Sequence, residues 1–445
     1  MAKTYDSYKD SGIAWIGEIP SEWKVCRYKN LCIIQSGSPF DSSKFSNVEG
    51  FPLIRIRDIT SGRIETYYEG EYSDEFIVHK GDLLVGMDGD FNVRIWQNND
   101  ALLNQRCCRI FANNDVDQTF IYFTLPYILE RINKLAYSTT VKHLSTTDLY
   151  DSFIMLPSLK EQHSIASFLD TKCGEIDSLI SLQEEMISEL QAYKQSVITE
   201  AVTKGLDPNA KMNCCASREK NDACISSSET QPAIERKFKD SGVEWIGEIP
   251  SEWGVCRIKD IYQERSETTE TGTERLLSVS EYYGVAPTAD KIEDGDYLTR
   301  AESLIGYKKC YKDDFVSNIM LAWKGSFGTT KYDGIVSPAY CVYKPVSTIS
   351  PEYYHYLFRT DLYKSRFKSY SKGIIDSRLR LYTPFFYLVD AILPPLSEQQ
   401  AIASYLDAKT SQIDSLISLK QQKIDELKSY KKSIIYEYVT GKKRV

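Results

Sequence analysis

Histidine is scarce in this 445-residue chain, basic charge is in deficit and long apolar runs are missing. The four histidines, His79, His143, His163 and His355, leave little from which to build a metal cluster or a catalytic triad. No stretch approaches the roughly 18 apolar residues of a membrane-crossing helix, and the opening MAKTYDSYKD carries no apolar signal region. Eleven cysteines are scattered without paired spacing, so the expected protein is soluble, reduced and cytoplasmic, with no membrane contact. A phosphate loop, a dinucleotide-binding glycine motif, HExxH and an Asn-Pro-Pro-aromatic segment are all absent, which argues against the enzyme classes that depend on them. The net charge of -8 also argues weakly against binding to phosphates, although distribution decides more than the total.

What the chain does contain, it contains twice. Residues 156–203, LPSLKEQHSIASFLDTKCGEIDSLISLQEEMISELQAYKQSVITEAVT, match residues 393–440 at 28 of 48 positions without a gap, at an offset of 237. A second block, KDSGIAWIGEIPSEWKVCR from Lys9, recurs from Lys239 with 16 of 19 identities at an offset of 230. His163 falls within the first repeat, but its copy is Gln400, so no catalytic role common to both halves rests on it.

From Ile176 the apolar positions recur as Leu179, Ile180, Met186, Ile187, Leu190, Tyr193, Val197 and Ala201, and the copy repeats them from Ile413. That spacing predicts a helix over 172–204, a rod of about 50 Å with no globular core of its own. The partner best suited to bury its stripe is the other copy, as an intramolecular pair. The WIGEIPSEW blocks, with Gly17 and Pro20, read as extended apolar tapes docked on a folded surface.

Between the repeats the chain diverges. Residues 28–155 alternate strand-like runs with turns (FPLIRIRDI at 51–59, GDLLVGM at 81–87, RCCRIF at 106–111) and turn helical over 118–137. Residues 258–392 do likewise, and each stretch predicts an α/β unit of ordinary domain size. The domains expected are 1–155, a first head with its repeat block; 156–205, a long helix; 206–237, a polar linker; 238–392, a second head with its block; and 393–445, the second long helix. Cys214, Cys215 and Cys224 in the linker match no zinc spacing.

What chemistry remains is binding. Residues 359–380 hold seven Lys or Arg against two Asp, a local charge of +5, interleaved with Tyr354, Tyr356, Tyr363, Phe367 and Tyr370 nearby. Such a segment suits a phosphodiester backbone, or else is a solvated helix face whose aromatics are core. Arg378 and Arg380 are the stronger candidates for bidentate contacts to guanine, alongside Lys368 and Lys372. Turns add Lys324, Ser326, Lys331 and Tyr332 in the second head, and Arg55, Arg57, Asn92, Arg94, Asn104, Gln105 and Arg106 in the first. A milder loop in the first head offers Thr139, Thr140, Lys142 and His143. Asp88 and Asp90 in GMDGDFNVR fit a turn between strands as well as they fit a metal site.

The WIGEIPSEW block, the LPxLxEQxxIAxxLD motif running into IDSLISL, and the order of two variable stretches and two repeated helices resemble the specificity subunit of type I restriction-modification enzymes. The resemblance implies an α/β fold: two target recognition domains separated by two long antiparallel helices forming an intramolecular coiled coil, with a pseudo-twofold internal repeat. It implies a non-catalytic reader of a split double-stranded DNA site, one domain per half, with helix length setting the gap. The partners it implies are two modification subunits, which bind S-adenosylmethionine and methylate adenine, and two restriction subunits, which use ATP and Mg to translocate and cleave. No cofactor is expected in this chain. The competing reading is a coiled-coil interaction scaffold with two ligand-binding heads and no DNA.

Overall fold

The structure is a computed structural model describing residues 4–135, 142–206, 236–291, 303–375 and 378–445. Nearly all of the linker expected over 206–237, with its three cysteines, lies outside the described residues, as do Thr139 and Thr140. The chain divides into two compact units, Met1–Glu185 with Lys420–Val445, and Met186–Leu419.

In the first unit a four-stranded antiparallel sheet runs in the order Val93–Ile95, Leu83–Gly86, Cys107–Ala112, Cys32–Ser36. A second sheet holds Phe51–Ile54 against Ala101–Leu103 in parallel register. The expected strand over 51–59 stops at Ile54; from Ile56 the chain is helical to Ser61. The backbone N–H of Arg55 donates to the Asp58 carboxylate at 2.8 Å, so the polar half of FPLIRIRDI caps a helix instead of extending the ladder. Lys24–Arg27 pairs with Phe153–Leu156, tying the beginning of the head to its end.

The second unit repeats this frame. Gly254–Arg257 pairs with Asp390–Leu393, and an antiparallel sheet runs Tyr262–Arg265, Tyr340–Pro345, Phe315–Asn318, Phe327–Thr329. Its core is aromatic: Phe315 stacks on Phe386 at 5.8 Å between centroids, and Tyr354, Phe358, Tyr363 and Phe367 close around them, fully buried. The run SNIMLAW is strand only to Asn318, then turns into the short 3-10 helix Ala322–Lys324.

The tapes are short strands. Tyr8–Asp10 pairs with Glu18–Pro20, and Phe238–Asp240 with Glu248–Pro250. Between each pair a turn ends on Gly17 (φ 72°) or Gly247 (φ 74°), a backbone region that glycine enters without a Cβ clash.

A latch repeats as well. Trp23 is fully buried, and its indole N–H donates to Oε2 of Glu161 at 3.2 Å while the Tyr5 hydroxyl donates to Oε1 at 2.7 Å. In the second unit Trp253 donates to Oε2 of Glu398 at 2.7 Å, and Arg236 pairs with the other carboxylate oxygen. Next to each glutamate stands a buried amide. Gln162 and Gln399 each accept from a backbone N–H, of Asp117 and Ser350, at 2.9 Å. Their amide nitrogens donate to the carbonyls of Pro157 (3.0 Å) and Pro394 (2.8 Å). A buried position that must both give and take a hydrogen bond selects glutamine, which accounts for the Glu-Gln pair in both LP motifs.

The long helices span Leu159–Lys204, 46 residues, and Leu396–Val439, 44 residues. The periodicity placed the start of the first near 172, and it begins 13 residues earlier, since 172 − 159 = 13. The LP motif itself forms the first turns, and Ile165 and Leu169 are buried there. At 1.5 Å per residue the longer rod measures about 69 Å.

Within each unit the helices run antiparallel. In the first, Phe168 packs on Tyr438 with centroids 4.6 Å apart, and the Lys431 ammonium donates to Asp177 at 2.7 Å. In the second, Lys194 donates to Asp414 at 2.7 Å. Since 414 − 177 = 237 and 431 − 194 = 237, this is one ion pair occurring twice with donor and acceptor helices exchanged. The seam does not use the whole predicted stripe. Ile176, Ile180, Ile413, Ile424 and Ile434 are buried, but Leu179, Tyr193, Leu416 and Tyr430 stay about half exposed.

Candidate nucleic-acid interface

In the first head the sequence candidates fall into two groups. One forms around Asp88, two residues past the end of the strand Leu83–Gly86. Its carboxylate is largely buried, with Oδ1 against Nδ1 of His143 at 2.6 Å and Oδ2 paired with the Arg106 guanidinium. Burial works against a charge on Asp88, but hydrogen bonds from His143 and Arg106 outweigh it and hold the carboxyl below the usual carboxylate range. Lys142 follows the same path, its ammonium donating to the carbonyl of Asn133 at 2.8 Å. Gln105 is exposed beside Arg106, and its backbone N–H donates to Ser38 at 2.9 Å.

The other group surrounds the helix Ile56–Ser61. Arg94 directs its guanidinium onto the carbonyls of Ile59 and, at 2.7 Å, Thr60, satisfying the helix's C-terminal acceptors. Arg57 donates to Thr66 at 3.0 Å and lies near Asp58 and Glu65; Arg55 lies over the Phe45 ring at 5.9 Å. Asn92 is half-buried, its carbonyl accepting from Gly86 at 2.8 Å. Arg55 and Arg57 keep exposed side chains; Arg94 has its donors engaged.

The second head holds its cations on rings. Lys324 and Lys368 both lie over Trp323, at 5.3 and 4.8 Å from the centroid, and Lys372 lies over Phe385 at 4.7 Å. Lys372 and Arg380 exchange two backbone hydrogen bonds of 2.9 Å, which closes the loop carrying Arg378. Leu381 donates to Ile319 at 3.0 Å, bringing that loop beside the turn of Lys324. Lys324, Lys368, Lys372, Arg378 and Arg380 therefore come together.

Three candidates stand apart from that group. Ser326 is buried and donates to Val279 at 3.1 Å; Tyr332 lies beneath Arg275; Lys331 lines a separate cavity with Glu352, His355 and Asp407. The aromatics read as interleaved with cations are mostly interior: Tyr354, Tyr363 and Phe367 are fully buried, Tyr356 donates to Asp407 at 2.6 Å, and Tyr370 lies under Arg366 at 4.7 Å. Helical spacing puts these rings on the core face while the lysines between them reach solvent.

Sequence reasoning missed the arginines that hold the heads together. Arg359, counted in the +5 segment, donates to the carbonyls of Ser280, Glu281, Tyr282, Gly325 and Phe327, which ties two loops together. Arg109 bridges Asp82, at 2.7 Å, to Gln35 and two backbone carbonyls. A single arginine inside a charged run gives no sequence signal for such a role. Among the described residues no group of three or more His, Cys, Asp or Glu converges as a metal site, and no helix is long and apolar enough to cross a membrane.

Two copies of the type I restriction modification DNA specificity domain match this chain, at residues 20–192 and 250–429. Over 357 residues, 75% of this chain and 67% of the relative, it is 33% identical to the type I restriction enzyme EcoBI specificity subunit of Escherichia coli. The MjaVIII specificity subunit of Methanocaldococcus jannaschii is 28% identical over 216 residues, 45% of this chain and about half (49%) of that relative. A solved chain from a type I R-M system shares the fold, with a TM-score of 0.65 at 15% identity over 95% of this chain and 98% of that one. With the domain present twice over most of its length, the chain belongs to the type I restriction modification DNA specificity family, and it recognises DNA sequence.

Proposed function

We propose that the chain reads a bipartite duplex site, one head per half, and serves as the non-catalytic specificity subunit of a cytoplasmic complex. The observation that carries this reading is the pairing of one repeated frame with two unlike cationic clusters, the Asp88 group in one head and the Trp323 group in the other. Like frames suit two copies of one partner, and Leu179 with Leu182, and their copies Leu416 with Leu419, remain about half exposed to receive it. Those partners are two modification subunits that bind S-adenosylmethionine, joined by two restriction subunits that use ATP and Mg; this chain contributes no cofactor site.

Filter binding with a random duplex, with and without the modification subunit, tests the reading. Retention of duplex that rises when the partner is added supports it; none under either condition would return the account to a scaffold without DNA. Deleting seven residues, about two turns, from one long helix is expected to change the permitted gap between half-sites or to abolish activity. An unchanged gap would remove the helices as the ruler.

A further inference from the structure

The described strands place three backbone segments side by side beneath one exposed patch of the first head. Met87 donates to the carbonyl of Arg106 at 2.9 Å, Leu144 donates to Met87 at 2.7 Å, and Gly89 donates to Lys142 at 3.0 Å. Asp88 is thus the middle residue of three. Its side chain is 11% exposed, while those of Arg106 and His143 on either side are 63% and 61% exposed. A metal reading of Asp88 has no room here, because both carboxylate oxygens are taken by cationic or hydrogen-bonding side chains.

The carboxylate can only accept, so Nδ1 of His143 carries the proton in their 2.6 Å contact. Nε2 of that exposed ring has no hydrogen-bond partner among the described residues, and in the neutral imidazole it is an acceptor. Arg106 meets Asp88 through one terminal nitrogen, and its Nε and second terminal nitrogen have no hydrogen-bond partner among the described residues. That remaining edge is a parallel pair of donors. In the major groove a guanine offers two acceptors, O6 and N7, and its paired cytosine offers the N4 amine as a donor. Two donors beside one acceptor form the complement of that pattern.

We propose that Asp88 is a positioning residue that sets Arg106 and His143 as one two-pronged reader of a single G·C pair, in the half-site read by the first head. This deepens the DNA-reading function above and rests on it. Asp88 does not touch the base; it fixes the imidazole tautomer and the guanidinium direction, so that both prongs address the same pair.

The test selects bound duplexes from a library randomised across both half-sites, using the full chain with its modification subunit. It compares the wild type with Arg106→Ala, His143→Ala, Asp88→Asn, the Arg106→Ala, His143→Ala double variant and the triple variant. The expected result is that each single variant relaxes the same G·C position, by roughly 5- to 150-fold for a lost bidentate contact, and leaves the other half-site unchanged. Adding Asp88→Asn to the Arg106→Ala, His143→Ala background then changes nothing further at that position, an outcome a merely structural aspartate would not give. If Arg106→Ala and His143→Ala relax different base pairs, or if Asp88→Asn keeps the preference intact, the inference is overturned while DNA reading stands. If the wild type selects no sequence in either half, DNA reading falls and takes the inference with it. Should Asp88→Asn fold poorly, the shared position of the two other single variants still decides.

Discussion

The first head holds Arg106 and His143 with a buried carboxylate, whereas the second lays Lys324, Lys368 and Lys372 across aromatic rings. A carboxylate fixes the direction of a donor; a ring face attracts a cation without choosing among its protons. The same frame thus carries one cluster whose donors are directed by a carboxylate and another whose cations lie on ring faces. Beneath them the latches are near copies, differing in what meets the inner glutamate oxygen: the neutral Tyr5 hydroxyl in one unit and the charged Arg236 in the other. Divergence is tolerated where side chains face solvent, while the buried indoles and amides are kept in both copies.

The largest expected effect would break the equivalence of the frames. Trp23→Ala and Trp253→Ala each remove a fully buried indole and are expected to destabilise their own unit by about 3–5 kcal/mol. Hydrogen exchange resolved by unit measures this, and a large effect in only one unit would show that the frames are not energetic copies. Next, Glu398→Gln should cost about 1.5–3 kcal/mol because it strands the guanidinium of Arg236, against about 0.5–1.5 kcal/mol for Glu161→Gln, which keeps a neutral partner. Denaturant titration of the two variants checks the ranking; equal costs would make the charge of Arg236 irrelevant.

A third comparison uses pH. Burial, with Arg359 and Lys331 nearby, pushes His355 down to about 3, and its Nδ1 accepts from the Thr329 N–H at 3.3 Å, so the folded ring is neutral. Its folded value lies below that of a free imidazole, near 6.5, so the unfolded chain takes up the proton first as pH falls. The stabilisation is complete above about pH 6.5 and declines below it by at most about 1.4 kcal/mol per pH unit, down toward about pH 3. Unfolding of the second unit followed from pH 7 to 5 should show that slope in the wild type and lose it in His355→Gln. The smallest effect belongs to the duplicated ion pair: Lys194→Ala and Lys431→Ala should each cost about 0.2–1 kcal/mol, equally and less at high salt, because both aspartates are more than half exposed.

Much of the frame was legible in the sequence, because duplication is a statement about the chain itself: two blocks that recur at offsets of 230 and 237, with 16 of 19 and 28 of 48 identities, require two like folds. The long helices were legible from their periodicity, and the first turns carry the same stripe, with Gln162, Ile165, Ala166 and Leu169 buried in step with Cys173, Ile176 and Ile180; a stripe counted only from Ile176 leaves them out. In the heads, spacing gave the helices but not the roles of their cations. Arg94 and Arg106 both read as turn arginines in the sequence; Arg94 lies within the strand Val93–Ile95 and caps a helix, Arg106 faces solvent from a carboxylate, and only tertiary neighbours separate them. Asp88 was legible as a turn residue and illegible as an anchor, because its partners lie 18 and 55 residues away.

Mapping methylated adenines across a genome tests the central claim most directly, in cells carrying the wild-type chain, Arg106→Ala or Arg378→Ala. Two heads reading two half-sites predict that each variant relaxes or silences one half of the recognised sequence, a different half for each, with the other half and the gap unchanged. Variants that altered both halves together, or a wild-type site without a gap, would contradict it.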